Sequence, residues 1–172
     1  MPGGLTGKIL KVNLTTKEIT TIPSEKYQEF GGGHGMGSAL FFDLVGNQLP
    51  FPAFDPRNLI IMTASPFAGT FVPGSGRCEV QSLSPMLYPV EWFGHSNFGG
   101  RFTSQLKFAG WDAIAVEGAS DEPIWINVVN DQVKPVGSAA QIFFRRQFQT
   151  AHAAVRPERG VQVTWVYGSH VQ

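Results

Sequence analysis

Residues 67–118 read FAGTFVPGSGRCEVQSLSPMLYPVEWFGHSNFGGRFTSQLKFAGWDAIAVEG, a stretch that concentrates glycine, arginine and small hydroxyl residues between short apolar runs. It contains two glycine turns, Pro73-Gly74-Ser75-Gly76-Arg77 and Ser96-Asn97-Phe98-Gly99-Gly100-Arg101. Glycine admits positive φ and lets a ligand come close to the main chain. Amides exposed in such turns form an anion-binding nest, and an adjacent arginine adds a bidentate fork suited to phosphate. Two Gly-plus-Arg turns separated by one strand-like run therefore read as two walls of a site for a phosphate-bearing ligand. The plainer alternative is a pair of ordinary hairpin turns with surface arginines.

Short strands surround this stretch. Residues 8–14 (KILKVNL) and 19–22 (ITTI) flank a turn and predict an N-terminal hairpin. Ser24 reads as the N-cap of a helix over 25–30. The run Gly31-Gly32-Gly33-His34-Gly35-Met36-Gly37 then opens a helical pattern over 38–45. A junction of that kind suits an anion, because free amides and the helix dipole point the same way, and it equally suits a plain helix–helix junction. It lacks the preceding strand of a dinucleotide fold and the lysine of a P-loop.

A proline-rich connector (Pro50, Pro52, Pro56) leads to residues 59–64 (LIIMTA), a buried strand by composition. Residues 77–81 predict a strand, 82–85 a serine-rich turn, and 103–108 a short helix or strand. Residues 112–117 (DAIAVE) and 123–129 (PIWINVV) are strands, and Asn130-Asp131 turns the latter into 132–136. A helix over 141–155 and a strand over 161–166 complete the chain. The elements do not alternate as a doubly wound fold requires, so the reading is α+β, dominated by strands. Residues 1–137 form the core domain, and 138–172 are its divergent C-terminal segment or a tail.

The 172 residues suffice for one domain with a proper core. Thirteen basic and thirteen acidic residues cancel, which argues against a nucleic-acid surface or a polybasic membrane anchor. Only 15 % of residues are charged, which suits a turn-rich β protein or a piece partly covered by something else. The single cysteine, Cys78, excludes an internal disulfide and a cysteine-based metal cluster, and reads as a small buried residue. His34, His95, His152 and His170 are too scattered for a recognisable metal spacing. His95, Arg101 and Lys107 read as structural or surface groups. No apolar run is long enough to span a membrane and no signal peptide is evident, so the expected location is cytoplasmic.

Several segments together resemble the N-terminal domain of the tungsten-containing aldehyde ferredoxin oxidoreductase family. They are GKILKVNLTTKEI near the start, the glycine run before the first helix, and NLIIMTASPFAGT. PGSGR, NFGG and LKFAGWDAIAVEG follow. The resemblance covers roughly residues 5–136 and fades beyond. It implies a β-rich domain of two related halves that forms a base beneath a metal held by two pterin dithiolenes. By the same resemblance Arg77, Asn97 and Gly99 contact the pterin, with Gly76 and Gly100 as neighbours. The cofactor implied is a bis-pterin tungstopterin or molybdopterin. A 4Fe–4S cluster belongs to the larger helical domains, and no ligands for it stand in this chain. Family members oxidise aldehydes to carboxylic acids and pass electrons to ferredoxin. A related tungsten enzyme reduces aromatic-ring thioesters.

The chain ends at Gln172, far short of a family enzyme, and departs from the family pattern after Ala139. Alone it is expected to be inactive and to associate, either with the remaining catalytic domains or subunit or with itself. The alternative role is a non-catalytic binding or scaffold subunit that docks to a catalytic partner.

Overall fold

The computed structural model describes residues 4–121, 124–130, 132–137 and 162–167. The strands in chain order are β1 (Lys8–Asn13), β2 (Ile19–Pro23), β3 (Ile60–Ala64), β4 (Cys78–Ser84), β5 (Trp92–Phe98), β6 (Ala113–Glu117), β7 (Ile124–Val129), β8 (Gln132–Gly137) and β9 (Gln162–Tyr167). Helix α1 (His34–Val45) lies between β2 and β3, and α2 (Phe102–Phe108) between β5 and β6. Short 3-10 segments occupy Ser24–Phe30 and Gly46–Gln48. The fold is thus strand-rich α+β with few helices. The helix expected over 141–155 lies outside the described residues.

Six strands form one sheet in the order β2-β1-β6-β3-β4-β5, and three form a second in the order β8-β7-β9. Every pairing is antiparallel except β1 with β6. That parallel pair joins residues more than a hundred positions apart, for example Leu10 with Ile114. The N-terminal hairpin is therefore stitched to the far end of the 67–118 stretch.

Alternation along the strands sorts side chains onto two faces. Ile9, Ile61, Leu83, Ala113 and Ala115 face one core with Met36, Leu40 and Phe41 of α1. Leu10, Val12, Met62, Ile114 and Val116 face another, with Leu106, Trp111 and Ile124, Ile126 and Val128 of β7. The large sheet is accordingly covered by α1 on one face, and by α2 and the small sheet on the other. The buried central strands read as near-continuous apolar runs for this reason.

Gly37 sets how closely α1 approaches the sheet. A Cβ there would lie 1.8 Å from Gln81 Oε1 and 3.1 Å from the Thr63 methyl. A side chain there would force Gln81 to move, so the helix backbone lies close against β3 and β4.

Three local expectations differ from the structure. Ser24 does not cap its helical turn: it is buried and its hydroxyl donates to Asp112 Oδ2 at 2.6 Å. The distant carboxylate outcompetes the local amides because it is charged and buried. β4 continues through Ser84, so the serine-rich turn begins later, since Ser82 and Ser84 pair with Gly94 and Trp92. Ser96, Asn97 and Phe98 likewise belong to β5, and only Gly99 to Arg101 turn the chain.

Asp112 ties the fold together just before β6. It is fully buried and accepts from the amides of Thr6 (2.9 Å) and Gly7 (2.9 Å), from the Ser24 hydroxyl and from the Lys107 ammonium. Burial opposes its charge, but the hydrogen bonds from Lys107, Ser24 and Thr6 prevail and hold its carboxyl below the usual range. Lys107 completes the knot by donating to the Gly4 carbonyl at 2.7 Å.

Candidate functional site

The two glycine turns meet. Arg77 stands immediately before β4, and Asn97 lies on β5 opposite Glu79. Arg77 Nη1 donates to Asn97 Oδ1, and both residues are exposed. Gly76 lies against the second turn, where an added Cβ would reach the Gly100 carbonyl at 3.4 Å. Its own carbonyl accepts from the Thr103 hydroxyl at 2.6 Å, which anchors the first turn to α2. A Cβ at Gly74, Gly99 or Gly100 would meet nothing within 4 Å. Gly74 (φ 75°) and Gly100 (φ 102°) also need the left-handed region. The turns therefore present bare main chain to open space beside one guanidinium and one carboxamide. Gly76, Arg77, Asn97 and Gly100 are brought together, and Gly99 adjoins them.

The glycine run before α1 is less available. The amides of Gly31, Gly32 and Gly33 donate to the carbonyls of Gln28, Phe30 and Ala64. The Gly33 carbonyl accepts from the Thr63 hydroxyl at 2.8 Å. These bonds pin the run to β3, and Gly33 itself occupies the cap position without a side-chain partner. The run works chiefly as a tight junction that delivers His34 to the sheet.

His34 meets two residues that sequence spacing did not connect with it. Its Nδ1 lies 2.8 Å from Glu79 Oε1. His95 Nδ1 lies 2.9 Å from the same oxygen. The imidazole rings are edge to face with centroids 4.8 Å apart. The scattered positions 34, 79 and 95 thus converge, although the spacing of the histidines along the sequence reads as no metal site. A signal was present in the strand period. In R-x-E-x-Q (Arg77, Glu79, Gln81) and H-x-N (His95, Asn97), alternate residues share a face. The register pairs Glu79 with Asn97 and Gln81 with His95, placing these four on the α1 face with Arg77 immediately ahead of the strand. The Arg77–Asn97 pair and the histidine cluster are consecutive steps along one pair of strands.

The other singled-out groups have plain roles. Lys107 is buried in the Asp112 knot, and Arg101 is exposed. Cys78 is fully buried, and burial together with the neighbouring Glu79 charge pushes its thiol up to about 12. Large apolar side chains remain exposed in the first glycine loop (Phe71, Val72) and between β4 and β5 (Met86, Tyr88, Val90). Among the described residues no helix is long and apolar enough to cross a membrane.

Comparison with known proteins agrees with this architecture. The family model described as "Aldehyde ferredoxin oxidoreductase, N-terminal domain" matches residues 9–164. The tungsten-containing aldehyde ferredoxin oxidoreductase of Pyrococcus horikoshii is 36 % identical over 142 residues, which are 81 % of this chain and 22 % of the relative. The enzyme of that name from Thermococcus kodakarensis is 34 % identical over 157 residues, 90 % of this chain and 25 % of the relative. Among solved structures, the active site complex BamBC of benzoyl coenzyme A reductase with 1,5-dienoyl-CoA superposes with a TM-score of 0.73 at 30 % identity. That match covers 81 % of this chain and 21 % of the other. The chain thus spans about a quarter or less of the length of the relatives it matches.

Proposed function

This chain belongs to the aldehyde ferredoxin oxidoreductase family, as an N-terminal domain, and we propose that it forms the pterin-binding base of a tungsten- or molybdenum-dependent oxidoreductase acting on aldehydes. The observation that carries this reading is the Arg77–Asn97 pair flanked by open glycine turns. A pterin dithiolene carries a phosphate, which calls for main-chain amides and a guanidinium fork. Its fused ring offers an edge of donors and acceptors that a carboxamide such as Asn97 can match. Arg77 and the amides around Gly76, Gly99 and Gly100 would hold the phosphate end, and Asn97 the ring edge. No Cβ crowds that approach at Gly99 or Gly100.

The metal–pterin group, when bound, supplies the redox chemistry, and this chain binds and orients it. The chain's one cysteine is buried, so in this reading any cluster cysteines fall to further domains or a partner subunit. Ferredoxin is the electron acceptor in this reading. The exposed Phe71, Met86 and Tyr88 suit a surface that such domains cover. The same exposure is what a non-catalytic docking subunit would show, which is the second reading.

Pterin fluorescence and elemental analysis of the purified chain, beside Arg77→Ala and Asn97→Ala, test the proposal. Pterin bound by the wild type and lost in both variants is the expected result. Pterin retained by both variants would overturn the assignment of these residues. Absence of pterin from the wild type would favour the docking reading.

A further inference from the structure

We infer that His34, Glu79 and His95 form a binding site for a first-row divalent transition metal, separate from the pterin contacts proposed above. Two imidazole nitrogens and one carboxylate oxygen converge, with all three atoms within 4.8 Å of one another. This N2O set is a common one for zinc and non-haem iron centres that keep positions open to solvent. A tetrahedral ion with bonds near 2.0–2.1 Å separates its ligand atoms by about 3.3 Å. Each histidine nitrogen here stands 2.8 or 2.9 Å from the Glu79 oxygen. An ion therefore needs each nitrogen–oxygen contact to open by about half an ångström and the two nitrogens, which lie within 4.8 Å of each other, to take the same spacing.

The surroundings suit a bound cation. One carboxylate oxygen faces both Nδ1 atoms, so each contact takes either an N–H donated by the imidazole or a metal ion held between the two. Gln81, buried beneath, holds His34 in place. Its two amide hydrogens have acceptors of their own in the His34 carbonyl (3.1 Å) and the Ser38 hydroxyl (2.9 Å). The amide thereby fixes the first residue of α1, and its nitrogen also lies 3.1 Å from His34 Nδ1. Gly37 lets the helix come close enough for that bond. The ligands thus come from three elements held rigidly: the start of α1, β4 and β5. Both histidine side chains are more than half exposed (55 % and 58 %), so an ion can enter and retain water in its remaining positions.

The test uses the full 172-residue chain, freed of metal with a chelator and titrated with Zn2+ by calorimetry and with Co2+ by visible absorption. One saturable site per chain is expected, with Co2+ bands of a nitrogen–oxygen environment. His95→Gln and Glu79→Gln should each weaken Zn2+ binding at least about tenfold, as loss of a ligand does. Arg77→Ala, which is predicted to abolish pterin retention, should leave Zn2+ affinity unchanged, so the two assignments fail or stand separately. His95 is exposed on β5, and circular dichroism would show its variant folded. Saturable binding that survives in the His34→Ala/His95→Gln double variant would place the metal elsewhere and overturn the proposal. So would a wild type with no saturable site, which would mean that protons alone balance the cluster.

Discussion

Two carboxylates sit at the centre of polar clusters in this molecule, and they behave oppositely. Asp112 is wholly buried, and four different groups donate to it: the Thr6 and Gly7 amides, the Ser24 hydroxyl and the Lys107 ammonium. Glu79 lies at the rim of the same sheet, with two half-exposed imidazoles against one of its oxygens. A buried charge that is completely hydrogen-bonded is a fastener, because any loss leaves an orphan in low dielectric. A rim carboxylate facing ring nitrogens has coordination left to offer. Satisfaction, more than charge, separates the structural cluster from the one suited to a ligand.

The largest expected effect breaks the fastener. Asp112→Asn should destabilise the chain by about 3–5 kcal/mol, because Lys107 then stays buried without its counter-charge. Denaturant unfolding monitored by tryptophan fluorescence measures it. A loss comparable to that of Glu79→Gln would erase the distinction between the two carboxylates. The same site sets an acid limit. Its folded carboxyl lies below the ordinary value of 3.8, so its contribution is complete above that value and disappears as pH falls through the lowered folded one. Stability of the wild type should therefore drop steeply below about pH 4, and Asp112→Asn should flatten that limb.

Next in size is Gly37→Ala, which sharpens the comparison from the helix side. The new methyl would collide with Gln81 Oε1, and that amide is itself buried with Oε1 lacking a partner. Overpacking of this kind costs about 1–3 kcal/mol. Because Gln81 holds His34, the variant should also weaken Zn2+ binding, whereas Asp112→Asn, measured where it remains folded, should not. Calorimetric melting and Zn2+ titration of both variants check the pair of outcomes.

Much of this was legible in the residues, and the failures share a cause. Strand positions followed from apolar alternation, and the resemblance carried by LKFAGWDAIAVEG pointed to the family. The Gly-Arg turns were visible because each motif is local. Ser24 was misread because its partner Asp112 lies 88 residues away, and local capping rules do not see across a sheet. The histidine cluster was missed for the same reason. Its members are separated by 45 and 16 residues, and only the β4–β5 register and the start of α1 bring them together. Residues 77–81 and 95–97 held the period-two clue, but which strand pairs with which is a property of the whole chain.

The smallest expected effect concerns Arg77. Arg77→Ala removes an exposed side chain whose structural bond, to Asn97, joins two residues that are both open to water. Surface substitutions of this type usually change stability by no more than about 0.5 kcal/mol. Pterin retention should nevertheless be lost, since a guanidinium fork on a phosphate has no substitute in alanine. The two readouts together decide what Arg77 is for. A large stability loss in the ligand-free chain would make the Arg77–Asn97 bond a clamp between the turns, placing it with Asp112 among the fasteners. Unchanged melting with lost pterin would place it with Glu79, on the side of the sheet built to meet something from outside.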